Sequence, residues 1–540
     1  MRRSLIRRKG SVLILVLVLI PILALGAYAF NHAMRAETAG AQASALQAQA
    51  RWLAEAGIES TRALLSDKNI FTQSAGTDIY NNAGAFATQH VANAISGMPA
   101  GMFSIVAADE KKQGSIRYGL ISECAKIPLG GGKTALRKEA LIALPNMTED
   151  VADAIMDYVD QDDEPLPNGA ESSYYGALNP PRQARNGPPL CIDELLLVKG
   201  VTPALLYGDD SNLDGLRQKS ETDGSADTGD NPTDSSTNAA AANRGWYHYF
   251  TIHSIADNTK SDGTNRTNLN GDQKTVAEAL TKDFAMNVAA YYVAYRTKNS
   301  NLNSIADLID SEVDVESQQL QQAWTAAGLD PTQAAQSLGV TLPQPQPQPG
   351  GQGGRGGQIT SVTSGPGGVT QVITGQGGSQ QQQTIKIASP WKAGDAGNYY
   401  EKALTNYGLD DQKTVQGVID IQNAPSAVLM CLPDVTQEIA DKIHNAATNK
   451  TGVLTSTAWL LTESLVPVDV LRKIEGKVTV SPRTFRIESV GFFERNGPVA
   501  RIEAILDASG TVPQVLQRRD LTPLGNGYPQ EMLRTQGATP

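Results

Sequence analysis

From Ser11 to Phe30 the chain reads SVLILVLVLIPILALGAYAF, an apolar run without a single charge. As a helix it spans the hydrocarbon of a bilayer. Residues 31–65 then turn alanine-rich and polar and contain no proline, so the helical pattern predicts continuation to about Ser66. Trp52, Leu53, Ala56, Ala63 and Leu64 supply a weak apolar stripe in that second half. The whole helix would be about 80 Å long, and Pro21 should bend it. Further on, residues 275–296 (TVAEALTKDFAMNVAAYYVAYR) carry the period of an amphipathic helix.

The body of the chain repeats itself. LPNMTEDVADAI at 144–155 and LPDVTQEIADKI at 432–443 share six of twelve positions. Each reads as a turn followed by a helix, with Thr148 and Thr436 as N-caps and Val151, Ala152, Ile155 or Ile439, Ala440, Ile443 as the apolar face. Related half-motifs follow at 193–206 (DELLLVKGVTPALL) and 456–474 (STAWLLTESLVPVDVLRKI). Helix, short hinge, helix is the recurring unit, and it resembles helix–hairpin–helix and SAM-like modules. Some of those bind DNA, but here the tips are flanked by Glu149, Asp150, Asp153, Glu438 and Asp441, which repel phosphate. The formal net charge of −11 points the same way.

Composition adds breaks and excludes chemistry. Two stretches lack any period: 209–244, rich in Asp, Ser, Asn and Gly, and the Gln/Gly/Pro-rich 341–390. After about Gly510, proline and glycine suggest a loose tail. Cys124, Cys191 and Cys431 have no C-x-x-C spacing, so a zinc site is not expected, and three disulfide pairings are open. No G-x-S-x-G, H-E-x-x-H or P-loop is present. GGGK at 130–133 reads as a loop, and His248 and His253, on an expected strand, read as structural. The chain is not expected to be an enzyme.

Arg2, Arg3, Arg7, Arg8 and Lys9 precede the apolar run, which keeps the start on the cytoplasmic side. Ala27-Tyr28-Ala29 approaches a signal-peptidase site, but the helix-favouring sequence beyond it argues against removal there. A basic leader ending in Gly10, an apolar segment and a helix running into a globular body resemble the type IV pilin superfamily. The resemblance implies cleavage between Gly10 and Ser11 by prepilin peptidase. The family's glutamate five residues after the glycine is Leu15 here. A carboxylate in lipid needs a partner, and in pilins it is thought to pair with the amine of a neighbouring subunit. Leu15 cannot do so, which suits the first position in a filament.

Lack of that glutamate is shared by the minor pseudopilin K (general secretion pathway protein K) family of type II secretion. Residues 157–196, DYVDQDDEPLPNGAESSYYGALNPPRQARNGPPLCIDELL, are similar to that family's pattern. ISECAKIPL (121–129), FTIHS (250–254) with RTNLN (266–270) as a strand pair, GVIDIQNAPSAVLMCLP (417–433) and VSPRTFRIESVGF (480–492) follow in the family order. The fold implied is α+β, a long N-terminal helix on a small antiparallel sheet with a large inserted helical domain of SAM-like, helix–hairpin–helix character. The expected divisions are 1–10 leader, 11–66 helix, 67–135 first part of the sheet, 136–208 helical domain with an acidic loop, and 209–244 insertion. They continue as 245–340 strand pair and helices, 341–390 insertion, 391–478 second helical segment, 479–510 final strands and 511–540 tail.

Asp157, Asp160, Asp162, Asp163, Glu164, Asn168 and Glu171 form the densest oxygen-ligand source in the chain. Hard cations take such ligands, although a solvated acidic loop is the plainer reading. The resemblance implies calcium, with Asp160, Asp162, Asp163, Asn168 and Glu171 as candidate ligands. It also implies a single-pass inner-membrane protein with a periplasmic body. Its partners would be minor pseudopilins of the I and J type, the major pseudopilin and prepilin peptidase, without nucleic acid. The implied role is to initiate or cap the pseudopilus. A membrane-anchored helix–hairpin–helix protein of DNA uptake, or a minor pilin of a type IV pilus, is the alternative.

Overall fold

The structure is a computed structural model that describes residues 11–67, 70, 78–92, 100–109, 115–216, 245–342, 363–365, 368–370, 372–373, 384–450, 454–495 and 497–533. Helix α1, Ser11–Leu65, comprises 55 residues and continues through Pro21. Residues 12–45 are exposed all round, and the helix is long and apolar enough to cross a membrane. Burial starts at Ala50 and follows one face: Leu53, Ala54, Ile58, Thr61 and Leu65. The expected stripe is thus rotated, because Trp52 is 73% exposed and Ala63 also points outward, while Ala56 and Leu64 sit at the margin. Small residues chose the face. A Cβ on Gly57 would lie 2.1 Å from Ser489 Oγ, and one on Gly491 would lie 2.1 Å from the Ala50 carbonyl oxygen. Only glycines allow the helix and sheet backbones so close.

The sheet beneath α1 is antiparallel throughout. Its strands are β1 (Gln89–Ala92), β2 (Gly101–Ala108), β3 (Ile116–Tyr118), β4 (Ile121–Ser122), β5 (Thr484–Phe493), β6 (Ala500–Asp507) and β7 (Gln514–Asp520). The order is β1-β2-β5-β6-β7, with β3 beside β2 and β4 beside β5. Strand alternation sends Phe103, Ile105, Phe485, Ile487, Ile502 and Leu506 to the α1 side. Met102, Val106, Val490 and Phe492 go to the other, against Tyr528 and Leu533. All ten residues of β5 are buried.

The β4–β5 connection holds the rest of the body. Its helices are α2 (Glu149–Val159), α3 (Gln273–Asp283), α4 (Met286–Lys298), α5 (Ser317–Ala326), α6 (Pro331–Leu338) and α7 (Gln437–Asn449), around one apolar core. The repeat is structural as well as sequential. Asn146 and Asp434 occupy the same left-handed turn position, both at φ 58°, and Gly200 (81°) and Ser464 (54°) repeat it in the two half-motifs. Thr148, Thr202 and Thr436 each cap the following helix by accepting a backbone N–H three residues on. A Cβ on Gly200 would meet Val151 Cγ2 at 2.9 Å, so the first hairpin pair packs tightly on itself. This is the α+β arrangement the motif order implied.

Several local expectations change. Residues 275–296 form two helices, not one, with the break at Phe284–Ala285. Every residue from Val288 to Ala294 is buried, because α4 is the centre of the body instead of a surface helix; Trp324 donates to its Ala290 carbonyl at 2.9 Å. FTIHS and RTNLN do not pair with each other. Phe250–Thr251 runs parallel to Ile127–Pro128, and Thr267–Asn268 parallel to Tyr407–Gly408. His248 lies in a 3-10 turn and His253 just beyond a strand. Residues 209–216 are ordered, with Asp210 and Asp214 buried, and Thr384–Ala388 is a strand against Glu312–Glu316. Residues 217–244 and most of 343–383 lie outside the described residues. All three cysteines are free thiols.

The supposed loose tail supplies β7 and closes over a buried arginine. Arg501 donates to Glu488 Oε1 at 2.7 Å and to the Gly525 carbonyl, and Tyr528 donates to Glu488 Oε2 at 2.7 Å. The prolines and glycines there are turns around Arg501, since a Cβ on Gly527 would lie 2.5 Å from its guanidinium carbon. Beside this, Arg486 of β5 donates to Glu123 at 2.8 Å and to Glu503 at 3.1 Å, Lys126 donates to Glu123 at 2.8 Å, and Tyr247 donates to Glu503 at 2.9 Å. Desolvation raises the Glu123 carboxyl, but Arg486 and Lys126 outweigh it and hold the pKa down at about 2. The inserted body therefore meets the sheet through a buried ionic seam.

Gly491→Val should destabilise the sheet–helix unit by about 1–3 kcal/mol, the cost of overpacking a contact that cannot give. Urea unfolding followed by tryptophan fluorescence checks it. An unchanged midpoint would mean that α1 does not pack there.

Candidate functional site

Helix α2 places Asp153 and Asp157 one turn apart on one face and ends with Asp160 as its C-cap. Residues 160–171 then fold back against that face. The turn depends on Gly169, where a Cβ would lie 1.8 Å from Asp157 Oδ2. Asp157 accepts the Leu166 N–H at 3.2 Å, and Lys199 Nζ ties the loop down by donating to the Asn168 and Gly169 carbonyls at 3.0 and 3.1 Å.

The result is a three-carboxylate cluster. Asp157, Asp160 and Glu171 each present an oxygen, all within 4.8 Å of one another. Glu171 is 1% exposed, and neither of its oxygens has a hydrogen-bond donor; Asp160 Oδ1 also has none. Burial, then Asp157 and Asp160, push the Glu171 carboxyl up to about 7. Burial, then Asp162 and Asp157, push Asp160 up to about 6. Three close carboxylates with unsatisfied, partly buried oxygens require protons or a cation. An all-oxygen set on a turn suits a hard divalent ion such as calcium, not zinc.

Of the candidate ligands, the fold brings Asp160 and Glu171 together and adds Asp157, a member of the acidic stretch that stood outside the candidate set. The other three are used differently. Asp162 Oδ1 accepts the Glu164 N–H at 3.0 Å, Asp163 Oδ1 accepts the Ser172 N–H at 3.3 Å, and Asn168 donates through Nδ2 to Asp153 at 3.2 Å. Lys138 neutralises Asp153 at 2.8 Å, so that carboxylate is already paired. Asp162 and Asp163 are exposed and serve the turns of the loop.

A second oxygen-rich loop escaped the sequence reading. Asp210 accepts the N–H groups of Asp214 (3.0 Å) and Gly215 (2.8 Å), Asn212 Oδ1 accepts that of Asp214 (2.9 Å), and Asp214 accepts that of Leu216 (2.7 Å). His248 Nε2 lies 2.9 Å from Asp210 Oδ2. The signal was the spacing D-x-N-x-D-G over 210–215, the first half of an EF-hand loop. Glu221, at the closing position, lies outside the described residues. The low-complexity composition on its C-terminal side concealed it.

The processing and assembly residues are at the other end of the molecule. Gly10 lies outside the described residues, and Ser11 is the first residue of α1. Leu15 is on the exposed part of that helix, 65% accessible.

Comparison with known proteins centres on the hairpin body. Residues 135–207 match the family model described as Type II secretion system (T2SS), protein K. A type II secretion system protein K relative from Escherichia coli (strain K12) is 40% identical over 55 residues, which is 10% of this chain and only 17% of the relative's length. The crystal structure of the GspK-GspI-GspJ complex from the type 2 secretion system of enterotoxigenic Escherichia coli aligns with TM-score 0.33 and 10% identity, covering 90% of this chain and 98% of the other. By the family match, the hairpin and acidic-loop domain at residues 135–207 belongs to the protein K family of the type II secretion system.

Proposed function

We propose that this chain is a minor pseudopilin that starts or caps the periplasmic pseudopilus of a type II protein secretion system. It works as a structural subunit, not as a catalyst. The observation that carries the reading is α1: its first half is apolar and exposed, with Leu15 where a pilin has glutamate, and its second half is fixed to the sheet. A helix of this kind can lie among like helices in lipid through its exposed half. Without a carboxylate at position 15, it has nothing to offer the amine of a subunit above it. The large body inserted between β4 and β5 adds bulk at the opposite end, which suits a terminal subunit better than a repeating one. Cleavage between Gly10 and Ser11 by prepilin peptidase precedes assembly in this reading. The protein is anchored in the inner membrane with its body in the periplasm, beside the I-type and J-type minor pseudopilins and the major pseudopilin.

Calcium belongs to the same reading. Asp157, Asp160 and Glu171 would hold the ion, which neutralises their mutual repulsion and fastens the 160–171 loop to α2 without taking part in any reaction.

Mass spectrometry of the protein recovered from membranes should give Ser11 as the first residue, and only when prepilin peptidase is present. An intact Met1, or a start near Asn31, overturns the filament reading. Leu15→Glu should leave processing intact while allowing the subunit into internal positions. Secretion should fall and filaments should lengthen, as measured by secreted-protein assay and electron microscopy.

The pH behaviour follows from the raised carboxyl groups. Without metal, the stability they contribute is full below their unfolded values near 4 and is lost as pH rises through about 6 to 7. Calcium needs them ionised, so its stabilising effect should be larger at pH 8 than at pH 5. Glu171→Gln should flatten the metal-free pH slope and weaken calcium binding by about tenfold or more. Thermal unfolding across pH, with calcium or chelator, reads both. A calcium effect independent of Glu171 would refute this assignment.

A further inference from the structure

Of the three clustered carboxylates, Glu171 lies furthest from α2 along the chain, and a lysine outside the loop holds the backbone on both sides of it. On the N-terminal side, Lys199 Nζ donates to the carbonyls of Asn168 and Gly169 at 3.0 and 3.1 Å. On the C-terminal side, the same ammonium lies 5.4 Å from the centre of the Tyr174 ring. The Lys199 backbone N–H donates to the Tyr175 hydroxyl at 3.1 Å. Tyr174 and Tyr175 in turn donate their N–H groups to the Glu171 carbonyl at 2.8 and 3.1 Å. Tyr175 is buried, so this side of the bracket is anchored in the core.

The ammonium keeps to neutral partners. Among the described residues no carboxylate lies within 4 Å of Lys199 Nζ, although three clustered acids are close along the chain to the carbonyls it holds. The other lysine beside the loop, Lys138, is committed to Asp153 at 2.8 Å and Glu149 at 3.6 Å. Asp153 also accepts the Asn168 N–H at 3.4 Å and its Nδ2 at 3.2 Å. Asn168 is therefore clamped between Asp153 and Lys199, while both Glu171 oxygens and Asp160 Oδ1 are left without a donor. A lysine that paired with one of these acids would relieve their repulsion, and would fill the place of an ion.

We propose that Lys199 is a positioning residue for the cation: it fixes where Glu171 stands while leaving the carboxylate free to ligate. An ammonium has three donors and no acceptor, so it can grip carbonyls but cannot itself hold the ion. The inference rests on the cation reading of Asp157, Asp160 and Glu171. It also fixes a sign. Removing a nearby positive charge should by itself strengthen cation binding, whereas loss of positioning weakens it.

The test uses the full chain in detergent, stripped with chelator, with terbium as the probe and calcium as its competitor. Luminescence titration gives affinity, and lifetimes in light and heavy water count the waters on the bound ion. Glu171→Gln supplies the background from any other site. Lys199→Met should weaken calcium binding by about tenfold, and the ion should gain about one or two waters as Glu171 withdraws. Lys199→Arg, which keeps charge and donors, should restore affinity and water count. The double variant Lys199→Met, Glu171→Gln should bind no more weakly than Glu171→Gln alone, because Lys199 acts through Glu171. Near-UV circular dichroism checks folding, and should Lys199→Met not fold, Lys199→Gln takes its place with the same expectations. Terbium binding by the unaltered protein that stays equal or rises in Lys199→Met, an unchanged water count, or additive losses in the double variant overturn this proposal alone. No terbium binding by the unaltered protein overturns the cation reading, and the proposal with it.

Discussion

Strand β5 is the element on which the rest depends, because neither of its faces reaches water. One face takes the stem of α1 at a distance that only Gly57 and Gly491 permit. The other carries Arg486 and Glu488 into a low-dielectric seam, where Glu123, Glu503, Lys126, Arg501, Tyr247 and Tyr528 complete the pairing. Buried ion pairs seldom add much net stability, but a member without its partner is strongly penalised. The seam therefore specifies orientation. The inserted body can dock in the one arrangement that matches each buried charge, while apolar contact alone would tolerate sliding. The long apolar helix and the large inserted body are thus joined through one strand that contacts both.

The acidic cluster follows the opposite logic. In the seam, opposite charges converge and the Glu123 carboxyl is held ionised by Arg486 and Lys126; at Asp157, Asp160 and Glu171, like charges converge and are pushed toward protonation. The first arrangement is complete in the chain itself. The second has unsatisfied oxygens and becomes favourable only with a cation or with protons. The seam joins the inserted body to the sheet, whereas the cluster lies wholly on the first hairpin and its return loop. The second copy, around Asp434, has the same turn and cap geometry, but the sequence that follows it carries no equivalent acidic stretch.

Much of this was legible in the residues. The uncharged run at 11–30 and the alanine-rich stretch after it defined α1, because helix propensity and lipid solubility are local properties. The repeated Leu-Pro-x-x-Thr units defined the hairpins, because a left-handed turn and an N-cap need particular residue types at fixed offsets. Clustered carboxylates marked 157–171 before any geometry was known. The order of motifs carried the resemblance to protein K, which the match at 135–207 then showed.

What the sequence determined by itself was therefore short-range: the membrane-length helix, the capped hairpins, and the acidic stretch. Only the tertiary structure decided which face of α1 packs, since close approach was set by glycines on two elements far apart in sequence and not by Trp52. Only it joined Asp157 to Asp160 and Glu171, because Glu171 arrives through a return loop. Only it turned a tail rich in proline and glycine into β7 and a lid over Arg501, because that order comes from a buried charge supplied by another strand. Local patterns record the energy of a few neighbouring residues; partners in space are fixed by burial and charge summed over the whole fold.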